Sequence, residues 1–138
     1  MTPTNQETAA KLERIADLLE AQEANPFRVA AYRNAAATIS TADEPVAELA
    51  REKPQALKDL PDIGEKLAGS IEEFVRTGRF PLLQRLQDET RPEDLLQRVS
   101  GVGPNLAGRL VHELDIRSLE ELEEAAHDGR LATLEGFG

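Results

Sequence analysis

One twelve-residue pattern occurs twice in this chain and limits its fold more than any other feature. The segment LPDIGEKLAGSI at residues 60–71 aligns without gaps to VSGVGPNLAGRL at residues 99–110, and a half copy, LEGFG, stands at residues 134–138. The shared positions are an apolar residue, a second apolar residue three positions later, Gly, then Leu-Ala-Gly and a final apolar residue. Repeats at this spacing are typical of a duplicated supersecondary unit. Each unit is predicted to be a helix, a short hairpin and a second helix.

The segments around the repeat are also predicted to be helical. Thr4 and Glu7 form a capping-box pattern, and Asn25 before Pro26 supplies an N-cap followed by a first-turn proline. No run alternates apolar and polar residues in the way that a half-buried strand does. We therefore predict an all-α bundle of short helices. The predicted helices cover residues 5–23, 25–39, 45–51, 54–59, 65–77, 81–88, 92–98, 104–113 and 118–127.

The composition of the chain excludes several classes of protein and of binding site. The chain has 138 residues, no Cys, 4% aromatic residues and a net charge of −10. The absence of Cys excludes disulfides and thiolate metal sites and predicts a reducing, cytoplasmic location. The first twenty residues contain no long apolar run, so we expect no signal peptide and no membrane partner. A generic nucleic-acid binder would be basic, so any DNA binding here needs another source of affinity.

The glycine-rich turns could serve three purposes. A dinucleotide site needs Gly-x-Gly-x-x-Gly after a strand, but Leu106 stands at the last position and the preceding segment is predicted to be helical. Gly101 and Gly103 permit a sharp turn that points the free amides of the next helix outward, and such amides bind anions. Amides that bind phosphates would make DNA binding independent of sequence. A joint needed only for packing remains the alternative.

Three ordered blocks resemble a known family. They are NPFRVAAYRNAA from residue 25, LPDIGEKLAGSIEEFVRTGRF from residue 60 and RVSGVGPNLAGRLVHELDIRSLEEL from residue 98. Together they resemble the N-terminal region of family X DNA polymerases of the DNA polymerase beta type. The resemblance implies two complete helix-hairpin-helix motifs and the start of a third. It also implies a lyase-like domain at residues 1–88 and a fingers-type subdomain at residues 89–138.

The family's binding residues map onto named positions. Its 5′-phosphate pocket matches Arg28, Tyr32 and Lys66, and two cations with a hydroxyl donor suit a phosphate dianion. Arg33 is expected either to support this pocket or to be a solvated helix charge. The predicted hairpin contacts to DNA are Gly64, Gly101, Gly103, Asn105 and Leu106, mainly through backbone amides. The resemblance also implies Na⁺ or K⁺ in the hairpins, held by the carbonyls of Lys58, Leu60, Ile63, Gln97, Val99 and Val102.

The chain departs from the family at three points. Ser70 occupies the position of the lysine that forms a Schiff base in lyase-active members, and serine cannot form an imine. We therefore expect no efficient lyase activity, with Lys66 as a weak alternative nucleophile. Asp62 stands where the hairpin pattern prefers glycine, so the first hairpin is expected to bind DNA less well than the second. The metal-binding carboxylates of a polymerase palm domain are absent from these residues.

The leading hypothesis is a DNA-binding module that positions gapped, nicked or 5′-phosphorylated DNA during repair synthesis such as base excision repair. In this hypothesis the residues are the front end of a longer DNA polymerase and have no activity of their own. We expect a monomer without any other cofactor. The alternatives are a stand-alone protein interaction module and an active deoxyribose-phosphate lyase.

Overall fold

The computed structural model describes residues 2–133, and this part of the chain contains helices and no strand. The half copy of the repeat at residues 134–138 lies outside the described residues. The helices are α1 (Asn5–Ala21), α2 (Pro26–Ser40), α3 (Val46–Glu52), α4 (Pro54–Lys58), α5 (Glu65–Thr77), α6 (Pro81–Glu89), α7 (Pro92–Leu96), α8 (Pro104–Leu114), α9 (Leu119–Asp128) and a 3₁₀ helix (Arg130–Thr133). The all-α prediction is confirmed.

The helix starts follow their local capping signals. The Thr4 hydroxyl accepts a hydrogen bond from the Glu7 amide at 3.0 Å, and the Asn25 side chain accepts one from the Phe27 amide at 2.8 Å. Ser118 caps α9 in the same way. Each cap satisfies a first-turn amide that has no partner inside its helix. Most predicted helices start or end one or two residues away from the observed bounds; Pro45, for example, precedes α3 as its N-cap. The 3₁₀ helix was not predicted.

The chain divides into two compact units, with the division between Glu89 and Thr90. Unit 1 contains α1 to α6 and the first hairpin, and unit 2 contains α7 to α9 and the second. The division falls one residue after the boundary that the sequence suggested between residues 88 and 89.

The core of unit 1 is formed mainly by aliphatic residues, as its composition requires. Leu12, Ile15 and Leu19 of α1 are almost fully buried, and so is Ile39 of α2. These two helices form the most extensive helix pair of the unit. Burying one such side chain stabilises a fold by about 1.5–3 kcal/mol. The pairing of α1 with α2 therefore fixes the helix that carries the predicted phosphate-binding residues.

An ion-pair cluster reinforces this helix pair. The Arg33 guanidinium of α2 donates to Glu13, Asp17 and Glu20 of α1, with N–O distances of 2.8, 3.1 and 3.1 Å. The partners are 13 to 20 residues away in sequence, so the cluster connects two elements rather than two turns of one helix. Burial raises the pKa of Asp17 above its ordinary value, although the nearby Arg33 acts in the opposite direction.

Unit 2 has its own small core around the second hairpin. Its buried residues are Leu96, Ala107, Leu110, Val111, Ile116 and Ala125. Val102 and Leu106 of the repeat pack against this core from the hairpin side. The apolar positions of the repeat therefore anchor the hairpin to its two helices.

No helix within residues 2–133 combines the length and the apolar character that crossing a bilayer requires.

The raised pKa of Asp17 predicts a specific pH dependence of stability. Native Asp17 holds its proton more tightly than unfolded Asp17, so its contribution to stability is largest below pH 3.8 and is lost as pH rises through the native pKa. We expect the free energy of unfolding of the wild type to fall relative to Asp17→Asn across this window and then to level off. Urea denaturation of both proteins at several pH values measures the difference. A difference that grows in favour of the wild type with rising pH would contradict the assignment.

Candidate nucleic-acid interface

The two hairpins adopt the same backbone turn. In the first, the Ile63 amide donates to the Leu60 carbonyl at 3.2 Å, and in the second the Val102 amide donates to the Val99 carbonyl at 3.0 Å. Each is a four-residue turn whose third residue has positive φ, as a type II turn requires. The sequence repeat is thus a structural repeat.

The third residue of each turn is the one that differs between the copies. Asp62 has φ of 64° and Gly101 has φ of 89°. Aspartate tolerates this left-handed region better than most residues, so the first turn keeps the conformation of the second. The Thr38 hydroxyl of α2 also lies 3.5 Å from the Asp62 carboxylate, where it can donate a long hydrogen bond. That carboxylate is exposed at the turn, close to the amides that are predicted to bind phosphate.

The turn directs the first amides of the next helix toward solvent. Gly64 and Gly103 are the N-caps of α5 and α8, with nearly identical dihedral angles, and neither helix start has a side-chain cap. Helix amides at positions N1 to N3 have no intrahelical acceptor, and the helix dipole adds positive potential there. Exposed Gly64, Gly103 and Asn105 and half-buried Leu106 lie at these starts. The geometry suits an anion at each hairpin.

The predicted phosphate pocket draws on two helices of unit 1. Exposed Arg28 and half-buried Tyr32 are one turn apart on α2, and exposed Lys66 lies in the first turn of α5. The hydrogen bond between Thr38 and Asp62 connects these elements. Thr38 is ten residues after Arg28, about 15 Å along the helix. A shared phosphate would therefore depend on the reach of the long Arg28 and Lys66 side chains.

Arg33 forms ion pairs with helix α1 in the structure. Its guanidinium is held by three carboxylates of α1. A phosphate would have to displace these anions or enter beside them, which like-charge repulsion opposes. In the structure, Arg33 connects α1 to α2, and its support of the phosphate pocket stays a prediction.

The remaining predicted positions lie around the hairpins. Ser70 is half-buried on α5, one turn after Lys66. Lys58 ends α4 and Gln97 caps α7, so the six carbonyls predicted to bind a cation fall in and just before the two turns. Binding of Na⁺ or K⁺ by these carbonyls stays a prediction.

Phe27 is a candidate that sequence reasoning missed. It is 85% exposed and is the exposed large hydrophobic residue of the described chain. It lies in the first turn of α2, directly before Arg28. An apolar residue at this position could equally have been a core residue, so its exposure was not visible in the sequence. An exposed ring beside a cation is the arrangement that stacks on an unpaired base next to its phosphate.

Unpaired cations are concentrated in unit 1. Within the described residues, eight basic side chains form no ion pair, and all belong to unit 1: Lys11, Arg28, Arg51, Lys53, Lys58, Lys66, Arg76 and Arg79. The five arginines of unit 2 each interact with another residue: Arg91, Arg98, Arg109, Arg117 and Arg130. Within the described residues, basic side chains without an ion pair are therefore a property of unit 1.

The family models match both units. A model described as a helix-hairpin-helix domain matches residues 3–80. A second, described as a SAM-like helix-hairpin-helix tandem, matches residues 93–138. The chain belongs to the helix-hairpin-helix family.

This helix-hairpin-helix chain is also similar to a curated DNA polymerase. It is 33% identical over 129 residues to the DNA polymerase/3′-5′ exonuclease PolX of Bacillus subtilis. The match covers 92% of this chain but 22% of that protein, so the chain spans about a fifth of its relative's length. The matched part is the N-terminal region, in agreement with the resemblance to family X polymerases. The tandem motifs and this similarity indicate DNA binding.

The positive φ of Gly101 in the second turn can be tested by substitution. Gly101→Ala forces a side chain into positive φ, which costs about 1–2 kcal/mol, and a Cβ at Gly101 has no neighbour within 4 Å to add to the effect. Gly103→Ala is the control, because its φ of −92° is open to any residue and its surroundings are equally free. We expect urea denaturation to show a larger loss for Gly101→Ala than for Gly103→Ala, whose smaller loss arises because alanine is a poorer N-cap than glycine. Equal losses for both variants would contradict the turn assignment.

Proposed function

We propose that this helix-hairpin-helix protein binds gapped or nicked DNA without reading its sequence and positions the 5′-phosphate side of the break for repair synthesis. The observation that carries the proposal is the pair of hairpins with the same backbone turn, in which a left-handed third residue precedes a helix start that has no side-chain cap. Amides that bind phosphate oxygens make no contact with base edges, so affinity would not depend on sequence. In this proposal the chain serves a longer family X DNA polymerase.

The charge distribution supports a division of roles between the units. Unit 1 carries the unpaired Arg28 and Lys66 together with Tyr32, and these would bind the dianionic 5′-phosphate. Unit 2 would hold the duplex through the amides of Gly103, Asn105 and Leu106. Carbonyls of the two turns would bind Na⁺ or K⁺ beside the phosphate, since hard oxygen ligands suit such ions and the ion would offset the acidity of the chain. Base excision repair, a cytoplasmic location and a monomeric state belong to the same proposal.

A protein interaction module is the second candidate, and one cleft favours it. Mostly apolar residues beside the second hairpin line an opening of about 520 Å³, among them Val102, Leu106, Leu119 and Leu122.

The salt dependence of DNA binding separates the two candidate functions. With about three to five phosphate contacts, the logarithm of DNA affinity should fall with the logarithm of salt concentration with a slope of roughly −3 to −4. A flat response at low salt would favour the interaction module.

The 5′-phosphate provides the first functional test. We expect the wild type to bind a phosphorylated gap about tenfold or more tightly than the same gap with a 5′-hydroxyl, since hydrogen bonds to charged groups contribute about 1.5–3 kcal/mol. In Arg28→Gln/Lys66→Gln the two affinities should converge. The control Lys11→Gln/Arg85→Gln removes the same charge from α1 and α6 and should keep the preference. Fluorescence anisotropy with both DNAs measures the preference for the 5′-phosphate. If that preference persists in Arg28→Gln/Lys66→Gln, the result would contradict the pocket.

The exposed Phe27 ring provides the second test. Phe27→Ala should weaken binding to DNA with unpaired bases in the gap by about 1–3 kcal/mol, which is the usual contribution of one stacked base. Phe27→Trp should retain affinity, because it keeps an aromatic face. A nicked duplex without unpaired bases is the matched substrate, on which Phe27→Ala should bind like the wild type. An equal loss on both substrates would indicate a role other than stacking.

Ser70 provides the third test. Borohydride treatment should trap no adduct between the wild type and an incised abasic site, because serine forms no imine and Lys66 would be engaged with the phosphate. Ser70→Lys serves as the positive control, since it places an amine one turn from Lys66. A wild-type adduct that disappears in Lys66→Ala would instead support the lyase alternative.

A further inference from the structure

A basic cleft lies in unit 1, between α3 and α5. It has a volume of about 500 Å³ and is lined by Ala50 and Arg51 of α3 and by Glu72, Val75 and Arg76 of α5. Both arginines are exposed, and within the described residues neither forms an ion pair. Most other arginines of the described chain are paired with carboxylates, so two free guanidinium groups at one opening are unusual for this acidic molecule.

The charge of the cleft matches one class of ligand. Arg51 and Arg76 contribute two positive charges and Glu72 one negative charge, which leaves +1 at neutral pH. A phosphodiester carries a single negative charge, and guanidinium groups bind its oxygens through charge-assisted hydrogen bonds. The apolar Ala50 and Val75 offer no competing carboxylate. We propose that this cleft binds a phosphodiester of the DNA backbone, at a site separate from both hairpins. The inference rests on the proposed DNA-binding function.

The position on α5 separates this site from the first hairpin. Arg76 is ten residues after Lys66, about 15 Å along the helix axis and about 80° around it. Phosphates of one DNA strand advance about 3.4 Å along the duplex axis per nucleotide. The cleft therefore cannot share the phosphate at the hairpin, and it would bind one about four nucleotides away in axial distance. DNA would then contact both ends of α5.

The salt dependence of DNA binding tests this site. Arg51→Gln/Arg76→Gln should reduce the steepness of the salt slope by about one phosphate, or roughly 0.9. The preference for a 5′-phosphate should be unchanged, because Arg28 and Lys66 are intact. The control Lys11→Gln/Arg85→Gln removes equal charge outside the cleft and should change the slope less. Equal slopes for the two variants would overturn the inference.

A gain of affinity provides a second test that misfolding cannot imitate. Glu72→Gln raises the charge of the cleft to +2 and should tighten DNA binding by a larger factor than Asp88→Asn, the same change of charge on α6. Equal gains would argue against the site. Cleft variants that keep the wild-type DNA slope but lose binding to polyglutamate would assign the cleft to an acidic protein and also overturn the inference. If the wild type fails to bind DNA at all, the proposed function itself fails.

Discussion

The left-handed residue in each hairpin is the constraint on which the functional geometry depends. Each hairpin turn is closed by a hydrogen bond across four residues, and its third residue adopts positive φ, as in a type II turn. This conformation leaves the N-cap glycine extended and the first amides of the helix without partners. Asp62 and Gly101 both adopt positive φ, but Asp62 adds a carboxylate to its turn and Gly101 adds no side chain. The fold repeats, whereas the electrostatics of the two hairpins differ.

The net charge of −10 does not show that the two units differ in their free cations. The arginines of unit 2 are engaged within the protein, and the free cations are all found in unit 1 among the described residues. An acidic protein can then bind a polyanion if its carboxylates occupy its own arginines on one part of the molecule and leave cations exposed on another. Binding through backbone amides does not depend on how side-chain charges are paired, because amides carry no net charge and are not titrated.

Arg33 shows how packing can give a predicted binding residue partners inside the protein. The resemblance placed it next to a phosphate pocket, and its neighbours Arg28 and Tyr32 remain available there. The three carboxylates of α1 instead bind its guanidinium and hold α1 against α2. Surface ion pairs contribute about 0–1 kcal/mol each, so the cluster supplements the buried aliphatic contacts rather than replacing them.

The sequence by itself determined the features that depend on local physics. Capping residues, prolines and glycines act within a few positions, so the helix order, the caps at Thr4 and Asn25 and the equivalence of the two turns could all be predicted from it. Tertiary structure decided what depends on residues distant in the chain. It paired Arg33 with α1, left Phe27 exposed and brought Arg51 of α3 next to Arg76 of α5. No local pattern encodes these results, because which side chains meet or remain exposed is settled only when the helices pack.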